Sequence, residues 1–317
     1  MPALFAPDRF AHANLYVSDM ERSLAFYRDV CGLNEVYREP EINAGFLSNG
    51  ASHHDIAVMQ VSNRAAVGRD GKVQNTMARG RVPGLNHLAF RMKSEARMVD
   101  AYRLARESGV AVERALDHGM SHSIYLLDPD LNGIEFYSDV VADWRAFYKS
   151  KDHALISARW DPLAAAPLPD LADIAPLVFD HVESEPLHPR EIRGAALAVK
   201  DLPRALGFYG DVVGLSAVAQ CPNEGVALLS VPGAEEPCLA LVAMRAGETA
   251  GLRSLWFSLE PTSPALTGDE VAGMVRKTDA GGRLERLGLR DPDGTALLFF
   301  MSGLPRIPAR DAVMMAA

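Results

Sequence analysis

Two hydrophobic patterns alternate along this chain, and each occurs twice. His12 to Leu33 reads HANLYVSDMERSLAFYRDVCGL. Its apolar residues first recur at every second position, as in a half-buried strand, and then at every third or fourth, as along one helix face. Ser18 and Glu21 have the spacing of a capping box. Met20, Leu24, Tyr27 and Cys31 form the helical stripe, and Gly32 suits the C-terminal stop. Gly194 to Leu215, GAALAVKDLPRALGFYGDVVGL, repeats the pattern, with Leu202, Leu206, Tyr209 and Val213 ahead of Gly214. The second pattern opens with GLNHLAF at Gly84 to Phe90 and GLRSLWF at Gly251 to Phe257. The first of these continues into a helix after Ser94, with Met98, Tyr102 and Ala105 on one face and Gly109 beyond its end. The corresponding last helix is expected around Asp269 to Ala280. Each unit closes with a turn and a returning strand, DPDLNGIEFY at Asp128 to Tyr137 and DPDGTALLFF at Asp291 to Phe300.

The repeats predict an α+β protein of four βαβββ modules, paired into two domains. The expected boundaries are 1–141 for the first domain, 142–190 for a connector, 191–303 for the second domain and 304–317 for a tail. Pro162, Pro167, Pro169 and Pro176 break up the connector, while Asp143 to Lys149 reads as a short helix. Ser62 to Pro83 carries Arg64, Arg69, Lys72, Arg79 and Arg81 and reads as a solvated loop, with a lid over the first domain as the alternative.

Composition narrows the class. The net charge of −9 argues against a nucleic-acid partner and against a polybasic membrane contact. No apolar run reaches 18 residues, so no transmembrane helix is expected, and MPALFAPDRF does not read as a signal peptide. Cys31, Cys221 and Cys238 are odd in number and far apart, which suits reduced thiols in a cytoplasmic protein.

The candidate chemistry comes from laying one domain on the other. His12 corresponds to Gly194, His87 to Ser254 and Glu135 to Leu298. Any one of the three polar residues alone reads as a polar position at a strand end, and Glu135, flanked by Ile134 and Phe136, is either at a wet strand edge or a metal ligand. All three are replaced by non-ligands in the second domain, so the fold does not demand them. Two imidazoles and one carboxylate suit Fe(II) with coordination positions left open for substrate and oxygen.

These segments, together with HHDIAV, PGLNHLAF and DHGMSHSIYLLDPDLNGIEFY, resemble the vicinal oxygen chelate superfamily and, within it, the extradiol catechol dioxygenases. The resemblance covers nearly the whole chain as modules but is specific only in the first domain. It implies the vicinal oxygen chelate fold and assigns His12, His87 and Glu135 as ligands of Fe(II), with Mn(II) the other metal such ligands accept. It makes His54 the acid–base residue, His118 a residue near the substrate oxygens and Tyr125 a hydrogen-bond partner of the substrate. His53 and His122 read as supporting or exposed histidines. The implied activity is cleavage of a small aromatic diol by O₂ beside its vicinal hydroxyls, in a homo-oligomer by family habit. The alternative on the same fold is a glyoxalase-like isomerase or lyase. Such members often place a fourth protein ligand late in the strand after His54. Here that region offers only Gln60, a neutral residue that reads as part of the cavity wall. A metal-free binding protein is the third reading, and the three ligand-type residues speak against it.

Overall fold

The computed structural model describes residues 3–74, 79–150, 157–171, 178–267, 273–278 and 284–301. The first half runs β1 (Arg9–Val17), α1 (Met20–Asp29), β2 (Asn34–Glu39), β3 (Ala44–Ser48), β4 (Ile56–Gln60), β5 (Gly84–Arg91), α2 (Glu95–Glu107), β6 (Val112–Asp117), β7 (Ser121–Leu127) and β8 (Gly133–Asp139). After α3 (Trp144–Lys149) and the short β9 (Ala158–Arg159), the second half repeats the plan. It comprises β10 (Pro189–Val199), α4 (Leu202–Gly207), β11 (Ser216–Cys221), β12 (Val226–Ser230), β13 (Leu239–Ala243), β14 (Gly251–Leu259), α5 (Pro264–Thr267), β15 (Val275–Thr278), β16 (Leu284–Arg290) and β17 (Ala296–Met301).

Each half builds one mixed sheet, in the order β2-β3-β4-β1-β5-β8-β7-β6-β9 and β11-β12-β13-β10-β14-β17-β16-β15. The two modules of a half meet where their first strands pair antiparallel, β1 with β5 and β10 with β14. The paired βαβββ modules read from the sequence are therefore the observed fold. Strand alternation divides the side chains of the first sheet. Ala13, Leu15, Val17, Leu88, Phe90, Ile134 and Phe136 join the helix residues Leu24, Tyr27, Met98 and Ala105 in a core continuous with that of the second half. His12, Asn14, His87 and Glu135 belong to the other face.

Local corrections have simple causes. Asp19, not Ser18, caps α1, its side chain accepting from the Arg22 N–H at 3.0 Å. Carboxylate caps recur at Asp143 and Asp201, and Ser94 caps α2 as expected. The α4 stripe ends in a wider π-helical turn, Phe208–Val213, closed by Gly214 at φ 90°. Among the described residues the last helix is Pro264–Thr267, ahead of the expected stretch. Part of the stretch assigned to it, Val275–Thr278, is instead a strand paired antiparallel with β16. Residues 269–272 and 279–280 of that expected helix, like the 304–317 tail, fall outside the described residues. His12 and His87 lie four residues into their strands, not at the starts.

The two DPD turns do more than reverse the chain. Tyr27 in α1 donates to Asp291 at 3.0 Å, and Tyr209 donates to Asp128 at 2.9 Å. The Ser18 N–H donates to Asp293 and the Lys200 N–H to Asp130. Each half thus grips the closing turn of the other with one tyrosine and one backbone amide. Among the described residues no helix is long and apolar enough to cross a membrane.

Candidate active site

Strand register brings the candidate ligands together. His12 on β1 lies opposite Ala89 on β5, and Ala89 lies beside Glu135 on β8. The two ligand candidates therefore flank a methyl group and reach across it. His87 is one step along the same face, opposite Asn14. His12 Nε2 stands 2.8 Å and His87 Nε2 2.9 Å from the same carboxylate oxygen, Glu135 Oε2. All three side chains are buried, and their ligand-type atoms lie within 4.8 Å of one another.

The protonation of this trio suits a cation. Burial holds His12 down at about 4 against the pull of Glu135, so its imidazole is neutral. Burial alone would raise Glu135, but His87 and His12 outweigh it and hold the carboxyl well below its usual range. His87 supplies the sharpest test. Its Nδ1 is 3.1 Å from Asn86 Oδ1, an oxygen that only accepts, so Nδ1 carries the proton. In the neutral ring Nε2 is then a bare lone pair that faces an anionic oxygen at 2.9 Å and has no hydrogen-bond partner. Two lone pairs at that distance repel unless a positive charge lies between them. Two imidazoles and one carboxylate oxygen are a fitting donor set for a divalent first-row metal, and Asn86 fixes the tautomer of one ligand as outer partners of metal-bound histidines do.

Around this point the chain places the other predicted residues. His54 leads into β4. Its ring centroid lies 4.0 Å from that of His12, and Nε2 is 3.1 Å from Asn14 Oδ1. Burial, then His12, hold it well below the usual histidine range. It is thus a neutral base, with a buried Nδ1 that has no partner. The HHD segment owes its shape to Asp55, which accepts from the Asn49 N–H at 2.8 Å and from Ser48 Oγ at 3.1 Å. Tyr125 donates to Glu135 Oε1 at 2.6 Å. Having given its one proton there, it accepts from His118 Nε2 at 2.9 Å, so His118 is the Nε2–H tautomer, and burial holds it at about 4. Tyr125, expected to hydrogen-bond the substrate, lines the cavity and holds the second oxygen of Glu135. His53 lines the cavity and reaches Asp139 at 3.3 Å, and His122 reaches Glu95 at 3.1 Å while stacking on Trp160.

A cavity of about 130 Å³ opens over the trio. Near the ligands it is lined by Asn14, His54, Asn86, His118 and Tyr125, and farther out by Tyr37, Glu39, Phe46, Met59 and Tyr148. Ala66 and Gln74 also line it, so part of the segment expected to be a solvated loop closes over the site. Gln60 is not in this wall. It is exposed at the end of β4, and its side-chain oxygen accepts from the Met20 N–H at 3.4 Å. Asn14, Asn86, Arg114 and Glu39 were missed by the sequence reading. Asn14 was legible as i+2 from His12, on the same strand face. Arg114, whose guanidinium lies 4.4 Å over the Tyr125 ring, had no motif to mark it.

Two further groups of potential ligands occur among the described residues: His12, His53 and His54, which shares the site above, and His181, Glu183 and His188, which lies just before β10 and is separate from it. The two imidazoles of the latter stack at 3.9 Å with planes only 20° apart, so their in-plane lone pairs do not converge on one point, and Glu183 is exposed. We assign no metal there.

The paired-module fold is that of vicinal oxygen chelate proteins, and it holds a His/Glu group with the donor set of a metal site. Residues 9–136 match the family model of the Glyoxalase/Bleomycin resistance protein/Dioxygenase superfamily. The chain is 24% identical to the catechol-2,3-dioxygenase of Bacillus subtilis (strain 168) over 233 residues, 74% of each protein. Its fold is similar to that of the 2,3-dioxygenase LapB from Pseudomonas sp. KL28 (TM-score 0.64, 16% identity, 95% of this chain and 94% of that one). It is also similar to the Mn(II)-bound glyoxalase from Novosphingobium aromaticivorans (TM-score 0.59, 15% identity, 93% and 82%).

Proposed function

We propose that this chain is an Fe(II)-dependent extradiol dioxygenase that opens the ring of a catecholic substrate beside its vicinal hydroxyls, using O₂. The observation that carries the reading is the convergence of two imidazoles and one carboxylate at the floor of an aromatic-walled cavity. There, a neutral His54 and the His118–Tyr125–Glu135 chain surround the same point. His12, His87 and Glu135 would hold the metal, Fe(II) in preference and Mn(II) as the other ion the donor set accepts. The bound metal would supply Lewis acidity for both diol oxygens and a path for electrons to O₂.

The remaining steps fall to the protein. His54, neutral and next to the ligand floor, accepts a proton as the diol binds and returns one later in the reaction. Asn14 holds the His54 ring by its Nε2, which turns the free Nδ1 lone pair to the work. Tyr125 fixes the unliganded oxygen of Glu135 and so the direction of the other one. His118 keeps a proton on Nε2 that stabilises negative charge along that chain. Phe46 and Tyr37 supply flat apolar walls that favour an aromatic ring and exclude water.

The rival reading is a metal-dependent isomerase or lyase, which the likeness to the glyoxalase keeps in view. The position of Gln60 outside the cavity counts against a four-ligand site of that kind. Oxygen uptake by anaerobically purified, Fe(II)-loaded protein decides between them. Stoichiometric uptake with substituted catechols and a new yellow chromophore supports ring cleavage, whereas no uptake despite tightly held metal overturns it. In His54→Phe, iron content is expected to stay near that of the parent while turnover falls by roughly 10²–10⁴-fold, the range of general acid–base contributions. An unchanged rate would remove His54 from the mechanism.

A further inference from the structure

The far end of the cavity holds a carboxyl group that neither the proposed reaction nor the fold uses. Glu39 ends β2, and by strand alternation it shares the cavity face with Tyr37. It is only 5% exposed, lines the cavity, and its Oε1 has no hydrogen-bond partner. Among the described residues no ion pair includes it. The adjacent cation, Arg38, turns to the opposite face and is engaged by Glu35 and Glu21. A buried carboxyl without donors is costly. Burial and the nearby Glu41 accordingly push its pKa up to about 7.

The second half shows that the fold does not require this acid. Glu39 pairs with Ala44 at the end of β2, and the equivalent pair is Cys221 with Val226. A row of rings leads from the ligands to Glu39: His12 to His54 at 4.0 Å, His54 to Phe46 at 5.1 Å and Phe46 to Tyr37 at 6.0 Å. Tyr37 in turn stacks on Tyr148 at 4.9 Å. β2 is three strands from β1, or roughly 14 Å on a flat sheet at about 4.8 Å per strand and less on a curled one. A ring bound at the ligand end therefore projects its substituent along this row towards Glu39.

We infer that Glu39 is the specificity-determining residue of the site, and that the ring it selects carries a side chain ending in an O–H or N–H donor. The inference rests on the ring-cleavage reading and deepens it. A free carboxyl oxygen at the end of an apolar corridor accepts a hydrogen bond from a hydroxyl or an ammonium group, and the stacked tyrosines favour the latter through their π faces. An alkyl side chain leaves the carboxyl without a partner. A carboxylate side chain meets Glu39 and Glu41 with like charge.

The test compares 4-ethylcatechol, 4-(2-hydroxyethyl)catechol, 4-(2-aminoethyl)catechol and 3,4-dihydroxyphenylacetate on Fe(II)-loaded protein, by anaerobic calorimetric binding and by oxygen uptake. At least one donor-bearing compound is expected to bind about 10-fold or more tightly than 4-ethylcatechol, the scale of a hydrogen bond to a charged group, with the carboxylate weakest. Glu39→Leu should bring the ratio of Kd values close to 1. Glu39→Gln, which keeps an acceptor but no charge, should retain preference for the hydroxyl and lose it for the amine, identifying which donor the parent selects. Equal binding of the ethyl and donor-bearing compounds, or a preference unchanged in both variants, overturns the inference and leaves ring cleavage standing. No oxygen uptake with any of the four overturns both.

Discussion

The two halves of this molecule carry the same sheet, and the contents of their ligand-side faces are opposites. In the first half, His12, Ala89 and Glu135 lie in line across β1, β5 and β8. In the second, the same line across β10, β14 and β17 is Gly194, Trp256 and Leu298. Where the first half has a methyl group between His12 and Glu135, the second has an indole. Trp256 is fully buried and packs with Ala196, Val226, Leu228, Ala240, Val242 and Leu298. Its N–H donates within the cluster to Ser254, the counterpart of His87. One face is thus a hydrophobic core and the other a set of buried titratable groups, on one backbone plan. The polar face therefore has no structural necessity, and it is the half with less favourable burial that holds the chemistry.

The largest expected effect comes from copying one residue across. Glu135→Leu installs the residue of the second half and removes the only anion of the trio. Metal content after desalting is expected to fall to background and oxygen uptake with it. That loss should exceed the roughly 10–100-fold cost of losing an outer-shell partner. The circular dichroism spectrum should stay that of the parent, since Leu298 shows the plan accepts it. Full metal occupancy in this variant would remove Glu135 from the site. Next in size is the converse, emptying the second half. Trp256→Ala should lower stability by about 3–5 kcal/mol, the range for aromatic truncation in a core, read from urea melts of the metal-free protein. A neutral outcome would mean the second face is not a core. Smaller again is Asn86→Ala, which frees the His87 tautomer. Metal affinity should drop about 10–100-fold in competition with a chelator, while an unchanged affinity would mean His87 is oriented by something else.

Much of this was legible in the sequence for one reason: the chain contains its own control. Repeats at His12 and Gly194, and at His87 and Ser254, disclosed the modules, and the replaced positions disclosed the trio without any knowledge of the fold. The ladder register confirms each pairing residue for residue. What was not legible depended on long-range approach. Nothing local to Tyr125 tells that its hydroxyl meets Glu135. The reciprocal grip of Tyr27 on Asp291 and Tyr209 on Asp128 is invisible to a reading that treats DPD as a turn. Pro264–Thr267 was missed as a helix because it is a single turn, and Val275–Thr278 was mistaken for one because so short a strand carries too few positions to show alternation. No motif in the sequence marks Glu39, and only the cavity it shares with Tyr148 and Phe46 gives it meaning.

The smallest expected effect concerns that same residue and sharpens the comparison through stability. A carboxyl raised from 4.5 to about 7 in the folded protein binds its proton more tightly folded than unfolded. Below about pH 4.5 it is protonated in both states and opposes nothing. As pH rises from there to about 7, the unfolded chain ionises while Glu39 does not, and stability is lost across that window. Glu41 adds like charge, and Tyr37 and Tyr148, the rings beside it, bring no cation. Glu39→Gln removes this dependence. The stability of the parent relative to the variant should therefore fall by about 2 kcal/mol between pH 5.5 and pH 8, measured by urea melts of the metal-free proteins. Other buried groups such as Asp55, itself raised to about 6 by burial, are common to both proteins and cancel in the difference. A donor-bearing ligand that meets Glu39 would reverse the trend, so adding 4-(2-aminoethyl)catechol to the metal-loaded parent at pH 8 should recover part of the loss. A parent that gains stability relative to the variant as pH rises would mean that Glu39 already has a cationic partner, and the contrast with Cys221 would then be one of pairing and not of function.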